Sequence, residues 1–287
     1  MNRDLLKIIE EKLHTFSKGQ KAIGRYILDH YEKAAYMTAS KLGSLANVSE
    51  STVVRFAIEL GFDGYPELQR SLQEISRTKL KSFQRIEVAN TLLGDADILS
   101  KVLLSDADKI RKTLEEIDRD AFNDAIQKII SAKNIYIIGV RSSSALASFL
   151  NYYFRMIFDN IKFVQTTSGS EMFEQIMQIS RGDVMIAISF PRYSQRIINA
   201  VEFARNADAN VISITDSAQS PIARHANQLL TAQCDMASFV DSLAAPLSII
   251  NAIIVAVARE KQEELTERLR RLEHIWDEYD VYDKSHN

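Results

Sequence analysis

Four short runs rich in isoleucine and valine recur along the second half of the chain: NIYIIGV (134–140), NIKFVQT (160–166), GDVMIAISF (182–190) and NVISITD (210–216). Each is nearly continuous in apolar residues instead of alternating, which predicts a strand buried on both faces. Segments of helical length separate them, and strands joined by helical crossovers pair in parallel. The architecture this allows is a parallel sheet covered by helices on both sides. A shorter run, QLLTA (228–232), predicts a fifth strand. Sheets of this kind take ligands at the carboxyl ends of their strands, beside a switch in strand order.

The first and third of these strands end in hydroxyl-rich loops. After the first, Ser142, Ser143 and Ser144 follow one another into a helical pattern. A strand-to-helix junction presents unpaired N–H groups and the positive end of the helix dipole, a setting that suits a phosphate. One of the three serines capping the helix is the alternative, and spacing leaves both open. After the third strand, Ser189, Arg192, Tyr193 and Ser194 make a second junction, which favours the phosphate: two such loops can close on one anion, with Arg192 as a fixed positive charge. Neither loop has the later glycines of a dinucleotide fingerprint or the Gly-Lys-Ser/Thr of a P-loop, so nucleotide binding is disfavoured.

Catalysis requires a positioned acid or base, and no convincing pair stands out. Glu171, after the second strand, either faces the ligand or is a helix-starting carboxylate. His225 suits a surface or helix-end position, and His30, His274 and His286 have no ligand spacing, so neither a metal site nor a cofactor is expected. One cysteine, Cys234, excludes an internal disulfide and fits a cytoplasmic protein. The N-terminus is charged and periodic, and the longest apolar run is interrupted by Pro246, Ser248 and Asn251, so neither export nor membrane insertion is indicated.

The first quarter of the chain reads as helices. Leu5, Leu6, Ile9, Leu13 and Phe16 form one stripe, and SKGQ (17–20) is a capping box that opens a second helix. Thr38 is placed to cap a short third helix ending at Ala46, and Ser49 a fourth from Glu50 to Leu60 that stops at Gly61. On this fourth helix Val53, Phe56, Ala57 and Leu60 share the inner face, while Ser51, Thr52, Arg55 and Glu59 share the outer. A polar face carrying serine, threonine and arginine suits the DNA major groove; Ser51, Thr52 and Arg55 are the candidate base readers, with Ser49 beside them at the start of the helix. Residues 1–85 carry 14 Lys and Arg against 10 Asp and Glu, whereas the remainder carries 21 against 28. A mildly basic head on an acidic body agrees with DNA binding without establishing it.

The segment LANVSESTVVRFAIELGFDGYPELQRSL resembles the N-terminal helix-turn-helix of the RpiR family of bacterial sugar-responsive transcription regulators. The match runs through Val48, Ser49, Thr52, Val53, Arg55, Phe56, Leu60, Gly61, Phe62, Gly64 and Tyr65. Residues of about 125–260 resemble the sugar isomerase (SIS) domain, a phosphosugar-binding fold found at the C-terminus of those regulators and in aminosugar enzymes. In that family two serine-rich loops cradle the phosphate, which carries over to Ser142 and Ser143 in the first and Ser189 and Ser194 in the second. Arg141 stands where the family often has glycine, and Phe190, Pro191 and Arg192 replace its usual polar-Ser-Gly portion.

The resemblance implies an all-α helix-turn-helix domain (1–77), a partly helical linker (78–95) and an α/β three-layer domain with a parallel, flavodoxin-like sheet (96–287). The expected partners are operator DNA, a sugar phosphate and a second copy of the chain in a homodimer or homotetramer. A phosphosugar isomerase or lyase is the alternative. Leu265, Leu269, Leu272, Ile275, Trp276 and Tyr279 keep helical spacing near the C-terminus, for packing or for a partner.

Overall fold

The computed structural model of the 287-residue chain describes residues 5–79, 84–86, 97–165, 168–235 and 240–281. It divides into two compact units, residues 1–101 with 236–241, and residues 102–235 with 242–287. Most of the expected linker at 78–95 lies outside the described residues.

Five helices build the first unit: α1 (Leu5–Lys12), α2 (Lys18–Ala34), α3 (Ala39–Leu45), α4 (Glu50–Glu59) and α5 (Tyr65–Lys79). The capping box at the start of α2 is formed, with Ser17 Oγ accepting from Gln20 N–H and the Gln20 side chain accepting from Ser17 N–H. The apolar stripes converge on Phe56, which is fully buried with its ring edge-on to Phe16 at 5.2 Å between centroids. Ile9, Ile23, Ile27, Leu42, Val53, Leu68 and Leu72 are likewise fully buried around it, each contributing about 1.5–3 kcal/mol relative to exposure. Tyr65 closes the cluster by donating its hydroxyl to Met37 O at 2.7 Å. Burial pushes its phenol up to about 12, so it remains a neutral donor.

The turn between α3 and α4 is set by local chemistry. Asn47 takes a left-handed conformation (φ 53°), Val48 N–H bonds to Gly43 O at 2.8 Å and Asn47 N–H to Ser44 O at 3.4 Å, the paired bonds of a Schellman ending. A side chain at Gly43 would stand 2.9 Å from Val48 O, so glycine lets the turn fold back onto α3. The same ending closes α4, where Gly61 (φ 95°) lets Phe62 N–H reach Ala57 O.

In the second unit α6 (Ile98–Glu116) and α7 (Arg119–Ser131) precede a sheet of five parallel strands: β1 (Ile135–Gly139), β2 (Ile161–Val164), β3 (Val184–Ile188), β4 (Asn210–Thr215) and β5 (Gln228–Thr231). Their order is β2-β1-β3-β4-β5, the doubly wound arrangement expected from the alternating pattern. The connecting helices are α8 (Ser143–Ile157), α9 (Gly169–Ile176) and α10 (Gln195–Asn206), followed by α11 (Ala244–Glu260) and α12 (Gln262–Glu278).

Alternate residues of each strand enter opposite cores. Ile135, Ile137, Ile186 and Ile212 pack with α7, α8 and α11, while Tyr136, Ile138, Met185 and Val211 pack with α9 and α10. Burial on both faces explains why β1, β3 and β4 read as continuous apolar runs, whereas β2, at the edge of the sheet, leaves Lys162 exposed and is not buried on both faces as its run predicts. At the amino end of the sheet, buried Asp183 accepts from Ser180 N–H and from both the backbone and the side-chain N–H of Asn134. That anion is therefore fully engaged in structure. Among the described residues, no helix is long and apolar enough to cross a membrane.

Candidate functional site

The strand order reverses at β1 and β3, and the loops leaving these two strands open onto a cavity of about 820 Å³. Its lining includes Gly139, Arg141, Ser144, Gln165, Glu171, Ser194 and Arg196. β1 contributes Gly139 at its carboxyl end, where an added Cβ would stand 2.6 Å from Ser143 O and 3.0 Å from Ala147 Cβ. Only glycine lets the first turn of α8 come this close to the strand, which brings Ser144 to the cavity wall. A volume of this size accommodates a phosphorylated hexose.

Of the residues expected from sequence, Ser144, Glu171 and Ser194 line the cavity. Ser142 is exposed at the start of α8, its side chain making no capping hydrogen bond. Ser143 is buried, as is Ser189, whose N–H continues the sheet by bonding to Ile214 O at 3.1 Å. Ser144 Oγ donates to Arg141 O at 2.6 Å, bracing the loop at its bend. Tyr193 is half-buried and donates to Asp216 Oδ1 at 2.7 Å, tying the loop after β3 to the end of β4. Arg192 is exposed on that loop. No serine caps α8 through its side chain, so capping does not explain the three serines at this junction.

Two arginines in left-handed backbone mark the junctions. Arg141 has φ 57° and Arg192 has φ 63°, a conformation costing a residue with a side chain about 1–2 kcal/mol relative to the right-handed one. The chain retains a glycine-like bend at both places while carrying a guanidinium there. Among the described lining residues, Arg141 and Arg196 bring two positive charges to the cavity, against the one carboxylate of Glu171. With the first N–H groups of α8 and the hydroxyls of Ser144 and Ser194, the wall is suited to an anion bearing several hydrogen-bond acceptors.

Gln165 and Arg196 escaped the sequence reading. Gln165 follows β2, and its backbone N–H and C=O both pair with the side chain of Gln175 on α9, at 3.1 and 2.9 Å. Arg196 lies in the first turn of α10, where a helix-starting residue gives no signal until the loop before it is placed. Their one sequence clue is position, next to the ends of β2 and of the loop after β3.

In the helical unit, α4 buries Val53, Phe56 and Ala57 and leaves Ser51, Arg55 and Glu59 exposed, as its periodicity predicts. Thr52 is half-buried against the start of α2, its methyl group 3.4 Å from where a Cβ on Gly19 would stand. Ser49 precedes α4 as expected but does not cap it through its side chain. Its hydroxyl instead lies 2.9 Å from Ser51 Oγ and 2.8 Å from Thr52 Oγ1, so three hydroxyls cluster at the amino end of the helix. Arg55 rests on its own helix, donating Nε–H to Ser51 O at 3.3 Å, with its guanidinium still open to solvent. A short helix, a Schellman turn and a second helix with this outer face constitute a helix-turn-helix with α4 as its second helix.

The two units thus define a class: a helix-turn-helix head and a doubly wound α/β domain with an anion-suited cavity at its switch point. Comparison with known proteins agrees with this division. The profile described as "Helix-turn-helix domain, rpiR family" matches residues 3–78, and that of the SIS domain matches residues 128–256. The chain therefore has the RpiR-family architecture, an rpiR-type helix-turn-helix followed by an SIS domain. It is 25% identical over 275 residues to the HTH-type transcriptional regulator HexR of Escherichia coli, covering 94% of this chain and 93% of that one. It is 24% identical over 277 residues to an uncharacterized HTH-type transcriptional regulator of Caldanaerobacter subterraneus, covering 95% and 96%. Among solved structures, the Vibrio vulnificus NanR protein complexed with ManNAc-6P superposes with a TM-score of 0.60 at 21% identity, over 96% of this chain and 99% of that one. The sugar isomerase domain of an RpiR transcription factor from Sphaerobacter thermophilus gives 0.58 at 23% identity, over 61% and 97%.

Proposed function

We propose that this protein is a cytoplasmic transcription regulator that reads operator DNA through α4 and is controlled by a sugar phosphate in the cavity between the β1 and β3 loops. The observation that carries the reading is that cavity, with Arg141, Ser144, Ser194 and Arg196 on its wall, in a chain that also holds a helix-turn-helix. The ManNAc-6P of the NanR complex supports the ligand class. Residues 1–77 act as the DNA-binding domain and residues 96–287 as the effector domain, joined by 78–95, in a homodimer or homotetramer matching the symmetry of paired half-sites.

In the cavity the phosphate accepts from the amino end of α8, from Ser194 and, once its hydroxyl turns away from Arg141 O, from Ser144, while Arg141, Arg192 and Arg196 supply charge. Ser143 and Ser189, both buried, shape the two loops from behind, and exposed Ser142 adds a hydroxyl at the first junction. Tyr193 holds the second loop in place, and Glu171 accepts from sugar hydroxyls. Control requires the ligand to bind the DNA-competent and incompetent arrangements with different affinities; the difference sets the size of the response. Catalysis has one observation in its favour, Glu171 on the cavity wall. A regulator returns the sugar phosphate unchanged, whereas an isomerase or lyase gives a product visible by NMR.

On the DNA side, Ser49, Ser51, Thr52 and Arg55 face the groove. Arg55→Ala is expected to weaken binding to duplexes selected by the protein from a random pool by about 1–3 kcal/mol and to relax sequence preference at one position. Fluorescence anisotropy at fixed salt measures both. Unchanged affinity and preference would remove Arg55 from the interface.

A further inference from the structure

Helix α6 packs inward through a narrow polar strip, while its charged side, with Lys101, Asp108, Arg111, Lys112 and Glu115, is exposed. Of its residues only Lys109 and Thr113 are buried, with Val102 and Asp106 half-buried beside them. This inner face is held by hydrogen bonds. Lys109 Nζ donates to Ser105 Oγ at 2.7 Å, Ser242 Oγ donates to Asp106 Oδ1 at 2.6 Å, and Thr113 Oγ1 accepts from Gln233 N–H at 2.9 Å. The apolar side faces out: Leu99, Leu103, Ile110 and Leu114 are 68%, 59%, 40% and 59% exposed. At 100° per residue these four fall within one narrow stripe. An amphipathic helix normally buries such a stripe.

From this stripe we infer that α6 pairs antiparallel with α6 of a second copy of the chain, about a two-fold axis between Asp106 and Ala107. The spacing is symmetric about that point: Leu103 and Ile110 lie equally far from it, and so do Leu99 and Leu114. Antiparallel pairing therefore sets Leu103 of one copy level with the partner's Ile110, and Leu99 level with the partner's Leu114. Ala107, exposed and small at the centre, permits close approach of the two backbones. An isologous contact needs one patch that complements itself, and this stripe does so residue by residue.

Beside the stripe lies a groove of about 400 Å³, lined by Ile110, Leu114, Ile117, Phe122, Ile249 and Ala252, with space for apolar side chains from the partner. The groove lies along α11, whose outward Val255 is 67% exposed.

The inference deepens the dimeric reading above, and its test separates the two. Full-length protein is expected to sediment at twice the 32.5 kDa chain mass or a multiple of it. The double variant Leu103→Glu with Ile110→Glu should lose this association in sedimentation while keeping its far-UV circular dichroism. In Ala107→Cys, oxidation should cross-link two chains through the introduced thiol, with no background from Cys234, which is buried. Because Ala107 is exposed, this second variant remains informative if the double variant fails to fold. A monomeric wild-type protein, or a dimer that survives the double substitution and yields no cross-link in the Ala107→Cys variant, would overturn the inference. The latter result would leave a dimeric regulator that associates through another face.

Discussion

Phe56→Ala is expected to destabilise the helical head by about 3–5 kcal/mol and to abolish DNA binding with it. Phe56 is fully buried at the point where α1, α2 and α4 meet, and its ring packs edge-on to Phe16. Truncation removes a large apolar surface and leaves a cavity that Ile9, Ile23 and Val53, all fully buried, fill only by moving α4. A small helical domain has a total stability of about 5–15 kcal/mol, so the loss is a large part of it. Urea unfolding followed by circular dichroism should show an early transition absent from the wild type, with the α/β unit melting where it did before. A head that keeps its midpoint would mean that Phe56 is not the centre of its core.

Gly139→Ala should damage the cavity most. The new methyl group would stand 2.6 Å from Ser143 O, a backbone atom that cannot swing aside as a side-chain tip can. Either α8 shifts away from β1 or the loop bends differently, and overpacking of this kind costs about 1–3 kcal/mol. Either adjustment carries Ser144 and Arg141 with it, so affinity for a sugar phosphate should fall further than stability does. Isothermal titration against the phosphosugar found for the wild type, with thermal melting in parallel, separates the two effects. Unchanged affinity with lowered stability would place the ligand away from the β1 junction.

Much of this architecture was legible because the signals were local. Apolar strands at regular intervals gave the parallel sheet, and the Ser17 to Gln20 capping box and Gly61 marked helix ends that the structure retains. The division of α4 into a buried face through Val53, Phe56 and Ala57 and an exposed face through Ser51 and Arg55 followed from a period of 3.6 alone.

What was not legible depends on three-dimensional closure. That Ser143 turns into the core while Ser144 faces the cavity is decided by the pitch of α8 against β1, which three consecutive serines do not reveal. Gln165 and Arg196 reach the cavity only because β2 and the loop after β3 end on the same side of the sheet. Arg141 drew notice as a departure from a glycine position. Its left-handed backbone shows that the bend survives the change. Nor did the sequence say which side of α6 faces out: its inner face is built from Asp106, Lys109 and Thr113, residues that periodicity assigns to solvent.

Control of this protein rests on a sugar phosphate binding in the cavity between the β1 and β3 loops. The most direct measurement is a thermal-shift screen of the purified full chain against hexose, aminosugar and sugar-acid 6-phosphates, each beside its unphosphorylated parent. At about one hundred times its dissociation constant a ligand stabilises the unit that binds it by about 2.7 kcal/mol, a rise of a few degrees in melting temperature. Such a rise is expected for at least one phosphorylated compound, absent with its parent sugar and reduced when Arg196 is changed to Gln. Equal shifts with and without the phosphate, or no shift from any compound, would contradict it.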